Sequence, residues 1–184
     1  MTILAEAIGD FARWLSKEMG NGLSDEENFR AAVGPKTIER RRYYKDKDGR
    51  HWRTAEHVGN HIYVYHGTFT NGDILSTPYG PERDKSARLP DEIKGTIVHE
   101  LGHAWDHNLD LYPSSNIAQA TTNDIPPTAL ADVDDPQEYW AELVKCSVYS
   151  SQIEPDRIPS QTLGSEQRAF ISLVVEKSNP IVPP

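Results

Sequence analysis

Cysteine is almost absent: Cys146 is the only one in 184 residues. A single thiol excludes an intramolecular disulfide and any cysteine-rich metal knuckle. Long apolar runs are missing too. No stretch approaches the roughly 18 apolar residues of a membrane-spanning helix, so membrane insertion is not expected. Positive charge is scarce, with 19 Lys and Arg against 28 Asp and Glu and a net charge of −9. On average such a surface repels a phosphate backbone, which argues against general nucleic-acid or anionic-membrane binding. The first twenty residues carry Glu6, Asp10, Arg13, Lys17 and Glu18 and lack a continuous apolar stretch. That predicts no signal peptide and sets the cytoplasm as the default compartment, with a secreted or delivered protein as the alternative. There is no internal repeat and no low-complexity tract.

What is present suits one domain, with 1–34 as an N-terminal helical segment and 35–184 as the main core. Leu4, Ile8, Phe11 and Leu15 recur at helical steps and predict a helix over 3–19 that stops at Gly20-Asn21-Gly22. Residues 36–56 read as a hairpin in which Tyr43-Tyr44 and Trp52 flank the turn signal Asp48-Gly49. Asp46 and Asp48 do not make a calcium loop, because the glycine offset is wrong and the twelfth position is His57. Arg40-Arg41-Arg42 form a basic patch, most simply a solvated strand face. The alternation His61 to His66 predicts a strand, and 78–90 a loop. Further helices are expected over about 90–108, 136–151 and 165–177. Between them 110–135, with Pro113, Pro126 and Pro127, reads as a long connection of the kind that is often functional.

The chemistry concentrates in Ile97 to His107, IVHELGHAWDH. Residues four apart share a helix face, so His99 and His103 can present two imidazoles to one metal ion. Glu100 lies about 100° further round, beside the metal and placed to accept a proton from an activated water. With 7 His and 14 Glu in the chain, chance supplies His-Glu-x-x-His in roughly 2% of such sequences. Ile93, Ile97, Leu101 and Trp105 form an apolar stripe that can anchor this helix. Gly102 inside it costs about 1 kcal/mol in propensity, which close approach of another element would explain.

A catalytic zinc needs a third protein ligand. Glu138 and Glu142, in Glu-Tyr-Trp-Ala-Glu, again share one helix face. One carboxylate can bind metal while the other accepts a ring N–H from a ligating histidine. Glu138 also stands three residues after Asp135, as a capping box requires, although Asp135 can cap alone.

His-Glu-Leu-Gly-His-Ala-Trp-Asp (99–106) followed by Glu-Tyr-Trp-Ala-Glu (138–142) resembles the gluzincin metallopeptidases. The likeness is to the anthrax lethal-factor-type catalytic domain and the Pro-Pro endopeptidases, and it covers roughly 95–150. It implies an α+β, zincin-like fold: a small, mostly antiparallel sheet, an active-site helix and a glutamate helix. It implies one catalytic Zn2+ held by His99, His103 and Glu138, with Glu100 as general base in hydrolysis of a peptide or protein substrate. Glu142 and Asp106 would support the ligands, and the strand at 61–69 would be the edge that receives an extended substrate. The family's oxyanion-stabilising tyrosine, seven residues before the ligand glutamate, is here Ala131. Tyr112, His107 and Tyr149 are the candidate replacements. The alternative is a degenerate zincin that binds zinc and a peptide or protein partner without cleaving it. Ala131 favours that alternative; the intact Glu100 opposes it, since binding alone needs no base.

The remaining conspicuous residues have plainer readings. Cys146 is expected as a buried small apolar group. His51, His57, His61 and His66 are expected as ordinary strand or loop histidines. Trp105 and Trp140 are expected as core aromatics of two facing helices.

Overall fold

Helix α3, Pro90–Asn108, is the central element. The computed structural model describes residues 3–41, 55–65, 68, 89–131 and 134–179. Pro90 occupies the first turn of α3, where its missing N–H costs nothing, and the Glu92 carboxylate accepts the Leu89 amide. The apolar stripe of Ile93, Ile97, Leu101 and Trp105 is buried as its spacing requires.

Among the described residues five further helices surround it: α1 Ile3–Met19, α2 Asp25–Val33, α4 Tyr112–Ala120, α5 Pro136–Val148 and α6 Ser165–Ser178, with a 3-10 turn Ser150–Gln152 after α5. A single apolar cluster draws on α1, α3, α5, α6 and the central strand. The N-terminal segment therefore belongs to the core. Phe11 of α1 meets Trp105 edge-on, with ring centroids 6.1 Å apart. In the first half of α1, Lys94 of α3 reaches Glu6 at 3.0 Å and Asp10 at 3.5 Å.

Helix α2 carries a reciprocal cap. Ser24 Oγ accepts the Glu27 amide and the Glu27 carboxylate accepts the Ser24 amide. Asn28 is buried, yet satisfied by Asn21 and Ser16.

The sheet has three described strands: β1 Thr37–Arg41, β2 Ala55–Val58 and β3 His61–Tyr65, in the order β1-β3-β2. β1 runs parallel to β3 and β2 antiparallel to it, so the sheet is mixed rather than mostly antiparallel. β1 and β2 are not partners of each other; Tyr43, Tyr44 and Trp52, which flank the expected hairpin turn, lie with that turn outside the described residues. The hairpin that does form joins β2 to β3 through Gly59-Asn60, and Gly59 takes φ 59°. β3, expected at the edge, is central, because its inward Ile62 and Val64 hold both neighbours over the core. Among the described residues the edge beside α3 is β2.

The expected 110–135 connection is also corrected, since α4 occupies its first half. Pro113 sits in the first turn of that helix, and Ile117 buries itself in the core. Among the described residues no helix is long and apolar enough to cross a membrane.

Candidate metal centre

α3 and α5 approach each other closely at Gly102. A Cβ on Gly102 would stand 2.9 Å from Ala141 Cα, so only glycine permits this approach. Trp140 donates its ring N–H to the Gly102 carbonyl at 3.0 Å, and the Trp105 and Trp140 rings meet at 5.2 Å. This dry contact fixes the spacing at which the polar faces of the two helices meet.

There, His99 and His103 of α3 face Glu138 of α5. The two Nε2 atoms are 3.1 Å apart. One Glu138 oxygen lies 3.1 Å from His99 Nε2 and the other 3.3 Å from His103 Nε2. Three ligands on a tetrahedral zinc, with bonds near 2.05 Å, stand about 3.3 Å from one another. The donor types fit such an ion, and one atom from each of the three residues lies within 4.8 Å of the other two. Among the described residues this is the one group of three that could hold a metal.

Glu142 backs the group. Its carboxylate accepts the His99 Nδ1–H at 2.9 Å, so Nε2 is the ring nitrogen that faces the other two donors. It also accepts Lys145 Nζ at 2.6 Å and the Thr128 hydroxyl. Burial raises its pKa, but His99 and Lys145 prevail and hold it at about 2. Burial lowers the pKa of His99, yet the carboxylates of Glu138 and Glu142 lift it to about 9. The imidazoles of His103 and His99 hold Glu138 well below the usual carboxylate range. Asp135 caps α5 by accepting the Glu138 amide at 3.3 Å. The capping question is thereby resolved: Asp135 serves the backbone, and the Glu138 side chain is turned to the histidines.

A cavity of 350 Å³ opens beside this group. Glu100, His103, Asp106 and His107 line it from α3, Gln137 and Glu138 from α5, Ala55, Glu56 and His57 from β2, and Leu111 from the turn after α3. Glu100 is only 7% exposed, and burial raises its pKa above that of an ordinary glutamate. A carboxylate so placed is a better proton acceptor than one in water.

The three candidates for the missing tyrosine are placed very differently. His107 lines the cavity, its ring edge-on to His57 at a centroid distance of 5.6 Å. Tyr112 does not line it; Lys177 covers its ring at 4.3 Å. Tyr149 donates its hydroxyl to Asp10 of α1 at 2.8 Å, which commits it to another contact. Ala131, where the tyrosine would be, is buried. Asp106 lines the cavity but turns its carboxylate to α4, accepting the Ser114 amide at 2.8 Å.

His57, read from the sequence as an ordinary strand or loop histidine rather than a substrate contact, lines the cavity. Its Nε2 is buried without a hydrogen-bond partner, and burial together with the Lys36 charge brings its pKa down to about 4. No sequence pattern marks it; it reaches the cavity only because β2 packs on α3. His61 instead stacks on Tyr63, and His51 and His66 lie outside the described residues. Cys146 is buried, and burial pushes its thiol up to about 12, so it behaves as an apolar group.

Comparison with protein-family models, with curated proteins and with solved structures gives no match to this chain.

Proposed function

We propose that this chain is a zinc-dependent endopeptidase with a zincin-like site, in which His99, His103 and Glu138 hold the ion. The observation that carries the reading is the convergence of two imidazole Nε2 atoms and the Glu138 carboxylate, one atom of each within 4.8 Å of the others, with a buried glutamate beside them in an open cleft. A purely structural ion pair would account for the His–Glu138 distances but not for the buried Glu100 that lines the same cleft.

When bound, zinc supplies Lewis-acid activation of a water and of the scissile carbonyl. The protein supplies the rest. Glu142 keeps the His99 proton on Nδ1 and so keeps Nε2 available. Glu100 takes the water proton on its carboxylate and later delivers it to the leaving amine. His107 is the donor placed to meet the developing oxyanion. An extended peptide substrate lies along the β2 edge, the strand that lines the cleft.

The second reading is a protein that binds zinc and a peptide or protein partner without cleaving it. Ala131 in place of a tyrosine favours it. A diverse peptide library digested with zinc-loaded wild type and with Glu100→Ala, products read by mass spectrometry, separates the two. Endopeptidase activity predicts fragments from the wild type alone. Intact peptides from both, with zinc present in both, would leave the binding reading.

A further inference from the structure

Leu111 is an anomaly that the metal group does not explain. It has φ 60° and ψ 24°, a left-handed conformation that costs a γ-branched residue energy. Asp110 before it has φ 51°, so the turn holds two such residues in succession and no glycine. Leu111 is also 39% exposed, so burial does not hold it there.

Hydrogen bonds do hold it. The Leu111 amide donates to the Asp106 carbonyl at 2.9 Å. The Asp106 carboxylate, itself buried, accepts the Ser114 amide at 2.8 Å and so fixes the start of α4. The Ser115 amide returns to the Leu111 carbonyl at 3.0 Å. A glycine would close this turn without strain. What it would lack is a side chain at the cleft, where Leu111 and Ala55 are the apolar lining residues among the described residues and the others carry polar side chains.

We propose that Leu111 is a specificity-determining residue: it offers an apolar contact to a substrate side chain next to the scissile bond, and Asp106 positions it through the Ser114 clamp. The substrate class is then a peptide with an aliphatic residue at that place, not a small or acidic one. This rests on the metallopeptidase reading.

The test uses zinc-loaded protein and three probes: acetohydroxamate, a glycyl hydroxamate and a leucyl hydroxamate, with affinities measured by calorimetry. The wild type is expected to favour the leucyl over the glycyl probe about tenfold, the scale of a small apolar contact in a pocket. Leu111→Gly is expected to lose that preference, to keep its affinity for acetohydroxamate, and to melt no lower than the wild type because strain is relieved. Asp106→Ala should lose the preference and Asp106→Asn retain it, since the amide oxygen still accepts from Ser114. Equal leucyl and glycyl affinities in the wild type, or an undiminished preference in Leu111→Gly, overturn the inference while leaving the metal site standing. Failure of acetohydroxamate to bind the wild type removes the metallopeptidase reading and this inference together.

Discussion

The same two helices, α3 and α5, meet in two chemically opposite ways. At Gly102 and Ala141 they touch backbone to backbone, with Trp105 and Trp140 sealing the contact. Across the polar side, His99, His103, Glu138 and Glu142 face one another through nitrogen and oxygen. The dry contact costs glycine's low helix propensity, about 1 kcal/mol. In return it sets the helix separation at which the donors of the two helices come together. The polar contact alone would not set that distance, because Glu138 is a long side chain with several rotamers.

Breaking the dry side should have the largest effect. Gly102→Val forces a branched side chain into the Ala141 backbone. A cost of at least about 3 kcal/mol corresponds to a melting temperature lower by about 6–12 °C for a domain of this size. Zinc affinity should fall with it. A melting temperature within a degree of wild type would mean that the helices have slack at Gly102.

Breaking the polar side should spare the fold. Glu138→Ala removes a half-exposed carboxylate paired with both histidines, so the metal-free melting temperature should fall, but by less than for Gly102→Val. Zinc affinity should drop by more than about a hundredfold, beyond the range for loss of an outer partner. Metal content unchanged after dialysis against a mild chelator would exclude Glu138 as a ligand. Glu142→Gln is the finer probe. It weakens the hold on His99 Nδ1 without touching the ion, and about a 10–100-fold loss of zinc affinity is expected. A loss equal to that of Glu138→Ala would place Glu142 on the metal instead.

The smallest effect sharpens the electrostatics. His99 is protonated in the metal-free protein up to about pH 9 and must be neutral to bind zinc. Zinc binding at pH 7.5 should therefore release about one proton. Calorimetric titration in two buffers of different ionisation enthalpy measures that number. The release should fade, and apparent affinity should level off, as pH rises past about 9.

The sequence makes the two sides of this comparison unequally readable. The α3 stripe, Gly102 and the His99, Glu100, His103 spacing are local features, and a helical period displays them directly. Glu138 and Glu142 share a face in the sequence, yet only the Asp135 cap shows which surroundings each carboxylate takes. The cleft wall is harder. β1 and β2 both pair with β3, an arrangement decided by long-range contacts, so alternation showed β3 as a strand but not its central place, and the family resemblance suggested the wrong edge. His57 enters the site through that arrangement and has no local signature. Helix α4 buries little besides Ile117, Pro113 and Ser114, too weak a pattern to display a period, and Pro113 read as a loop signal when it was a first-turn residue. Helix α2 is different: its Ser24-to-Glu27 box stands in the sequence, plain enough to have named the helix.

The solitary Cys146 has a practical consequence. It is 1% exposed, near the end of the helix that bears Glu138 and Glu142. A maleimide dye can reach its sulfur only when that end of α5 opens. The rate of labelling in native buffer is then a clock for opening of the helix, with one possible site of modification and no engineered label. Run with and without zinc, that clock reports how firmly the ion ties α5 to α3.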